Sequence, residues 1–201
     1  MPSSRQRVQT AEGQETFRKN LHLAKKLGVG YVTLSTGETH GDESVIGDDT
    51  ELVKIIQDLG TVAKDLGLVM AIETHGNNYA TGQSIIALLK KVNMPNVRLN
   101  YDTGNVVFYG AIMPYEDLEA STGSITGIHL KEKAGAQNEW NFPAVGRGDL
   151  DFDRILKTLK KNGCTVALSI EIEFTPAGPN GVEDVHESLA FSVDTIKRLS
   201  A

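Results

Sequence analysis

The alternation of short apolar segments with amphipathic helical segments is the feature that most constrains how this chain folds. Five apolar runs, near residues 31, 69, 98, 126 and 166, have the length of buried strands. Between them, apolar residues recur at helical spacing, as for Val53, Ile56, Leu59 and Ala63. Strands that alternate with helices predict a parallel sheet covered by helices. We therefore expect a single α/β domain over residues 1–201, with a flexible polar segment at residues 1–13.

The predicted strands share a second property, which is a metal-binding type of side chain at the carboxyl end. Four successive strands end in Glu73, Asp102, His129 and Glu171. The carboxyl ends of parallel strands meet at one edge of the sheet, which is where ligands bind in such folds. Three carboxylates and one imidazole suit Mn²⁺, Mg²⁺ or Co²⁺, and Zn²⁺ is also compatible. A cation also relieves the repulsion between carboxylates brought this close.

Each of these residues also has an ordinary structural interpretation when it is taken alone. Glu73 is then a solvated strand end, and Asp102 before Thr-Gly is a turn former. His129 is a hydrogen-bonded core or surface residue, and Glu171 is one member of an ion pair. The repetition at four consecutive strand ends favours a joint metal site over four separate structural roles.

Five segments carry a resemblance to a known family. In chain order they are residues 71–75 (AIETH), 100–105 (NYDTGN), 127–132 (GIHLKE), 145–152 (VGRGDLDF) and 168–173 (LSIEIE). From about Glu15 to the C-terminus, the chain resembles the xylose isomerase-like TIM barrels, which include sugar phosphate isomerases and epimerases and the AP endonuclease family 2-like, or endonuclease IV-like, proteins.

The resemblance implies roles for the four residues at the strand ends. Metal ligation falls to Glu73, Asp102, His129 and Glu171, and Glu73 and Glu171 also act as the acid/base pair on opposite faces of a sugar. One removes the proton alpha to a carbonyl while the metal polarises the oxygens of the enediolate, and the other returns a proton. The implied enzyme is a divalent-metal-dependent isomerase or epimerase of a small sugar, sugar phosphate or polyol.

Two positions depart from the epimerase pattern. Epimerases commonly have a histidine three residues after the metal-binding aspartate, where this chain has Asn105. They often have an arginine a few residues after the metal-binding histidine, where this chain has Lys131 and Lys133. Asn105 can donate a hydrogen bond to a hydroxyl but carries no positive charge.

A further set of residues is assigned to substrate binding. His75 is expected to share a face with Glu73, and Glu173 one with Glu171, because side chains alternate along a strand. Trp140 and Phe142 lie in the long segment after His129 and are candidates to line a sugar pocket. His40 lies in a glycine-rich loop at the same edge. The residues predicted to bind substrate are His75, Asn105, Lys131, Trp140 and Glu173.

The number of strands is smaller than the family requires. A full barrel has eight strands and about 250 residues, and the five found here align with the last five. The first three strand–helix units, roughly 90 residues at about 30 per unit, have no counterpart. An incomplete barrel leaves strand edges and apolar surface open. We therefore expect either a partner chain, such as a second copy in a homodimer, or a shortened gene product.

Composition narrows the function classes. The chain has 20 basic and 26 acidic residues, a net charge of −6, which argues against nucleic-acid binding driven by charge. No apolar run reaches the roughly 20 residues of a membrane helix, so no membrane association is expected. The single cysteine, Cys164, excludes an intramolecular disulfide, and the N-terminus lacks a secretory pattern, so we expect a cytoplasmic protein.

Three alternatives to the isomerase remain open from the sequence. The same residues could catalyse β-elimination from a keto-sugar, which would make the protein a lyase or dehydratase. An endonuclease IV-like activity uses more metal ligands and a basic surface, and the acidic balance disfavours it. The chain could also be a non-catalytic barrel fragment.

Overall fold

The computed structural model describes residues 8–36, 49–173 and 182–200. The described strands are β1 (Tyr31–Leu34), β2 (Val69–Glu73), β3 (Val97–Asp102), β4 (Ile125–Leu130) and β5 (Ala167–Ile170). The described helices are α1 (Ala11–Leu27), α2 (Thr50–Asp65), α3 (Gly82–Val92), α4 (Thr103–Gly110), α5 (Pro114–Ser121), α6 (Phe152–Lys161) and α7 (Val182–Ser200). The five strands form one parallel sheet in the order β1-β2-β3-β4-β5. The predicted alternation, and an incomplete barrel of five parallel strands, are confirmed.

The chain divides into two compact units, of which the first ends at Asn100 and the second begins at Tyr101. In the first unit, the inward-facing residues of α1, α2 and β2 are fully buried, among them Leu21, Ile56 and Met70. Gly60 of α2 permits a close approach, because a Cβ atom there would lie 2.9 Å from Met94 Sδ and from Val97 Cγ2. This packing fixes β2 and the first part of β3.

The first helix begins earlier than its periodicity predicts. We expect it from about Gln14, whereas α1 begins at Ala11 because the Thr10 side chain accepts a hydrogen bond from the Gly13 N–H. Val8 is also buried, with 1% of its surface exposed. Residues 8–13 are thus ordered by a helix cap and by core packing, while residues 1–7 lie outside the described part of the chain.

In the second unit, α4 was not expected from the sequence. Asp102 before Thr-Gly is, taken alone, expected to form a turn, but it is the N-cap of a helix over Thr103–Gly110. Asp is among the best N-cap residues, and Val106 and Phe108 of α4 are buried. The signal was therefore present as a capping residue followed by apolar residues.

Strand β5 differs from its neighbours in burial. Parallel strands are usually covered on both faces, yet Leu168 of β5 is 40% exposed. β5 lies at the end of the sheet, with β4 as its only partner among the described strands.

Candidate metal centre and active site

Asp102 is fixed in place by the start of α4. Its Oδ1 accepts hydrogen bonds from the backbone N–H groups of Gly104, at 2.9 Å, and Asn105, at 2.8 Å. The side chain has no exposed surface. With Oδ1 used as a helix cap, Oδ2 lies 3.7 Å from His129 Nδ1 and 4.0 Å from Lys131 Nζ. A single carboxylate thus both starts a helix and faces the other candidate ligands.

Thr103 links the carboxyl ends of β3 and β4. Its hydroxyl donates to the Lys131 carbonyl at 2.7 Å and accepts from the Lys131 N–H at 3.0 Å. The neighbouring Gly104 allows the two strand ends to approach, because a Cβ there would lie 2.9 Å from Lys131 Cγ and 3.0 Å from the Glu132 carbonyl oxygen. These contacts explain why Asp102 and His129 lie side by side.

The pairing of β4 with β5 brings Glu171 to the same place. Leu130 pairs with Ile170, and the Glu171 N–H donates to the Leu130 carbonyl at 3.1 Å. His129 Nδ1 then lies 2.8 Å from Glu171 Oε2. His129 and Glu171 are both half-buried, so their polar atoms are held by the fold but are open to a small ligand.

Lys131 is a buried cation among these groups. Its Nζ donates to Glu173 Oε1 at 2.8 Å, to Glu171 Oε1 at 3.2 Å and to Asn105 Oδ1 at 3.2 Å. It also lies 4.6 Å from the centre of the Phe142 ring. Burial alone would lower the pKa of Lys131, but the charges of Asp102, Glu171 and Glu173 outweigh burial and raise it. Lys131 is therefore charged at neutral pH.

The same contacts keep Glu171 ionised. Burial would raise the pKa of the Glu171 carboxyl, but the hydrogen bond from His129 and the charge of Lys131 hold this pKa well below its usual range. An ionised carboxylate can ligate a metal or accept a proton.

Glu73 ends β2 and pairs in register with Asn100 of β3, two residues before Asp102. One ligand atom from each of Glu73, Asp102, His129 and Glu171 lies within 4.8 Å of the others. Three carboxylates and one imidazole within this distance fit a divalent cation such as Mn²⁺, Co²⁺ or Zn²⁺. Metal ligation by the individual residues stays a prediction.

The residues predicted to bind substrate have different surroundings. Asn105 is buried and Glu173 is half-buried, and both accept a hydrogen bond from the Lys131 ammonium group. Trp140 is 36% exposed and packs edge to face on Phe108 and Phe142, with ring centres 5.3 and 5.0 Å apart. Substrate contact by any of these residues stays a prediction.

His75 lies beyond the end of strand β2, where strand alternation no longer applies. β2 ends at Glu73, and His75 forms a backbone bridge with Tyr79, whose carbonyl accepts the His75 N–H at 3.1 Å. Alternation therefore does not determine where the His75 side chain points. His40, the remaining histidine candidate, lies outside the described residues.

Sequence reasoning missed Glu132, which organises the segment after β4. This fully buried carboxylate accepts N–H groups from Lys133 at 3.0 Å, Gly146 at 2.8 Å and Leu150 at 3.1 Å. Burial raises the pKa of Glu132, while these N–H groups lower it in part. These partners are backbone N–H groups, so the sequence carried no specific signal for this role.

The fold and the cluster together define an α/β barrel protein with a candidate divalent-metal centre at the carboxyl ends of its strands. The chain belongs to the xylose isomerase-like TIM barrel family, whose model matches residues 2–193. The family inferred from the five sequence segments is thereby confirmed.

Two curated relatives of this chain carry the names of enzymes. The chain is 29% identical over 149 residues to the inosose dehydratase of Clostridium tetani, covering 66% of this chain and 50% of that protein. It is 21% identical over 170 residues to the probable L-ribulose-5-phosphate 3-epimerase UlaE of Mycoplasma pneumoniae, covering 84% of this chain and 55% of that protein. The chain thus spans about half the length of these curated relatives.

A solved relative has the same fold. The IOLI protein with a bound zinc atom superposes with a TM-score of 0.78 at 21% identity, over 94% of this chain and 69% of that one.

No helix among the described residues is both long and apolar enough to cross a bilayer.

Proposed function

We propose that this protein is a divalent-metal-dependent isomerase or epimerase of a small sugar, sugar phosphate or polyol. The observation that carries the proposal is the convergence of Glu73, Asp102, His129 and Glu171 within 4.8 Å. Similarity to an epimerase and to an inosose dehydratase supports a sugar-like substrate. Mn²⁺, Mg²⁺, Co²⁺ and Zn²⁺ are the candidate ions, and the zinc atom in the IOLI structure supports a divalent cation in this fold.

In this proposal the two glutamates transfer protons. Glu171 is ionised, as a general base must be, and would accept the proton alpha to the substrate carbonyl. Glu73 would deliver to the enediolate a proton that it has taken up from solvent, Glu171 would release its proton to solvent, and the two residues would exchange roles with reaction direction. When bound, the metal would polarise the substrate oxygens. Asp102 and His129 complete the ligand set.

The remaining polar and aromatic residues orient the substrate. Trp140 offers a partly exposed aromatic face, which suits the C–H groups of a sugar. His75 and Glu173 are the candidates to bind hydroxyl groups. Asn105 contributes an amide next to Lys131.

Proton exchange tests the proposal directly. The Mn²⁺-loaded protein is incubated in deuterated water with a panel of ketoses, ketose phosphates and inososes, and label on the carbon alpha to the carbonyl is followed by NMR. We expect incorporation that Glu171→Gln and Glu73→Gln abolish. Glu119→Gln is the matched control, because Glu119 pairs with Lys161 on the surface. Failure of the wild-type protein to exchange any substrate would contradict the proposal.

A keto-sugar dehydratase is the second candidate, and the similarity to inosose dehydratase favours it. Elimination of a β-hydroxyl starts with the same proton abstraction by Glu171 or Glu73. The two reactions differ in product, because elimination gives an unsaturated ketone that absorbs in the ultraviolet. Absorbance that rises with inosose but not with simple ketoses would select the dehydratase.

A non-catalytic barrel fragment is the remaining possibility, because the chain spans about half of the curated relatives. Elemental analysis separates it from an enzyme. If no divalent ion co-purifies or binds, and Glu171→Gln changes neither stability nor activity, the fragment is favoured.

We also propose that the protein is cytoplasmic, has no nucleic-acid or membrane partner, and forms a homodimer if a second copy covers the open side of the barrel. Light scattering coupled to size exclusion tests the oligomeric state. A monodisperse monomer would contradict the dimer.

A further inference from the structure

Lys131 has no hydrogen-bonding capacity left for a substrate. A lysine ammonium has three N–H donors, and three acceptors surround Nζ: Glu173 Oε1, Glu171 Oε1 and Asn105 Oδ1, at 2.8 to 3.2 Å. The side chain is 3% exposed. A substrate group could reach this nitrogen only by displacing one of the three partners. We therefore look for a role of Lys131 other than substrate binding.

The contact with Glu171 distinguishes the two oxygens of that carboxylate. Oε1 accepts from Lys131 Nζ at 3.2 Å, while Oε2 lies 2.8 Å from His129 Nδ1. Glu171 can rotate about its last side-chain bond only if one of these contacts is lost. Lys131 thus occupies Oε1, while Oε2 lies beside the imidazole of His129.

We propose that Lys131 is a positioning residue that limits Glu171 to binding the metal through Oε2 alone. This inference rests on the proposed function, because it assigns Glu171 to the metal site. Glu173 and Asn105 accept the other two hydrogen bonds of the ammonium group. With Oε1 restrained, one coordination position of the metal stays available to the substrate.

The charges around Lys131 support the same role. Asp102, Glu171 and Glu173 all lie within 4.0 Å of Nζ, and a divalent cation alone would leave part of this negative charge unbalanced. A buried carboxylate without a partner is costly. Lys131 balances the charge without entering the ligand set, and the Phe142 ring, 4.6 Å from Nζ, covers the ammonium.

Lys133 offers a matched control. It is also a buried lysine after β4, with 1% of its surface exposed, but its Nζ donates to the carbonyls of Ala134 and Ala136. Lys133→Met therefore removes a buried ammonium from the same segment without removing a contact to Glu171. Any effect that follows only from losing a buried ammonium group should appear in both Lys131→Met and Lys133→Met.

The experiment is the visible absorption spectrum of the Co²⁺-loaded protein, which reports coordination number without substrate. In Lys131→Met, Glu171 is free to bind through both oxygens, so we expect weaker d–d bands, as found for higher coordination. Glu173→Gln, which loosens the ammonium, should shift the spectrum less and in the same direction. Lys133→Met should match the wild type.

Kinetics provide a second readout where activity is present. A positioning role predicts that Lys131→Met lowers kcat about 10- to 100-fold with little change in the KM for substrate, whereas a substrate contact would raise KM. A wild-type spectrum in both Lys131→Met and Glu173→Gln, or an equal shift in Lys133→Met, would overturn the inference. If Lys131→Met does not fold, the Co²⁺ spectra of Glu173→Gln and Lys133→Met are compared, and a shift in Glu173→Gln alone supports the inference. Failure of the wild type to bind Co²⁺ would instead refute the proposed function.

Discussion

Asp102 and His129 meet at the ends of neighbouring strands, with Asp102 Oδ2 3.7 Å from His129 Nδ1, while Asp102 Oδ1 caps α4. The helix cap orients the carboxylate before any metal is present. The position of α4 and the geometry of the candidate site therefore depend on one side chain.

Two substitutions of Asp102 should separate these roles. Asparagine is as good an N-cap as aspartate, so Asp102→Asn should keep α4 and lose metal affinity. Asp102→Ala should lose both, with about 1–3 kcal/mol of stability removed together with the cap and its buried hydrogen bonds. Urea unfolding measures the loss of stability, and calorimetric titration with Mn²⁺ measures the loss of metal affinity. Equal destabilisation by both variants would contradict the separation.

The stability of the segment between β4 and α6 should depend on Glu132 and Gly148. Glu132→Gln replaces an acceptor oxygen with an N–H donor facing backbone N–H groups, and should cost about 2–3 kcal/mol. In Gly148→Ala the new Cβ would lie 2.5 Å from Glu132 Cγ, so we expect a loss of about 1–3 kcal/mol from overpacking.

Gly123→Ala is the control for Gly148→Ala, because a Cβ at Gly123 meets nothing within 4 Å. Its free energy of unfolding should stay within about 0.5 kcal/mol of the wild type. A comparable loss in both alanine variants would mean that contact with Glu132 is not the cause.

The sequence was sufficient for the strands and for the four candidate ligands because both depend on local patterns. Apolar runs mark the strands, and Glu73, Asp102, His129 and Glu171 follow directly after or at the end of them. What the pattern cannot supply is the rotation of a side chain beyond the strand. His75 follows the end of β2, so its direction depends on the bridge to Tyr79, which alternation does not describe.

The role of Lys131 was beyond sequence reasoning for a related reason. A lysine after a strand is usually solvated, and its burial here depends on Asn105, Phe142 and Glu173, three residues distant in sequence. Glu132 was missed because its partners are backbone N–H groups, which no particular residue type indicates in the sequence. Tertiary hydrogen bonds thus account for what the sequence left open.

Tyr101 should make stability pH-dependent in the alkaline range. Its buried hydroxyl lies 3.0 Å from Asp117 Oδ2 and 3.1 Å from the Pro114 carbonyl oxygen. Burial, followed by the charge of Asp117, raises the pKa of Tyr101 above its usual value of 10.0. Because the folded pKa is the higher one, this stabilisation is complete below pH 10 and is lost as the pH rises further.

Tyr101→Phe tests this sign. The variant should be about 1–2 kcal/mol less stable than the wild type at pH 7, since it loses a buried hydroxyl that bonds Asp117. The difference should narrow above pH 10, because only the wild type has this proton to lose. Urea unfolding followed by circular dichroism at a series of pH values measures the difference. A constant difference from pH 7 to 11 would contradict the prediction.

Trp140 should affect substrate affinity more than stability. Its ring is 36% exposed, whereas the neighbouring Phe142 is 1% exposed. Trp140→Ala should therefore raise the KM for a sugar substrate several-fold, with Trp140→Phe intermediate. Phe142→Ala should instead remove about 3–5 kcal/mol of stability. An unchanged KM in Trp140→Ala would mean that this aromatic face does not contact the substrate.

Metal removal should lower the thermal stability of the whole protein. An ion that binds only the folded state stabilises it by about 2.7 kcal/mol at a free concentration 100 times Kd. We expect Mn²⁺ added after chelation to raise Tm in the wild type and in the surface variant Glu119→Gln. Asp102→Asn, which keeps the helix cap but loses a candidate ligand, should show little or no rise. Differential scanning calorimetry checks all three, and an equal rise in Asp102→Asn would place the ion elsewhere than at Asp102.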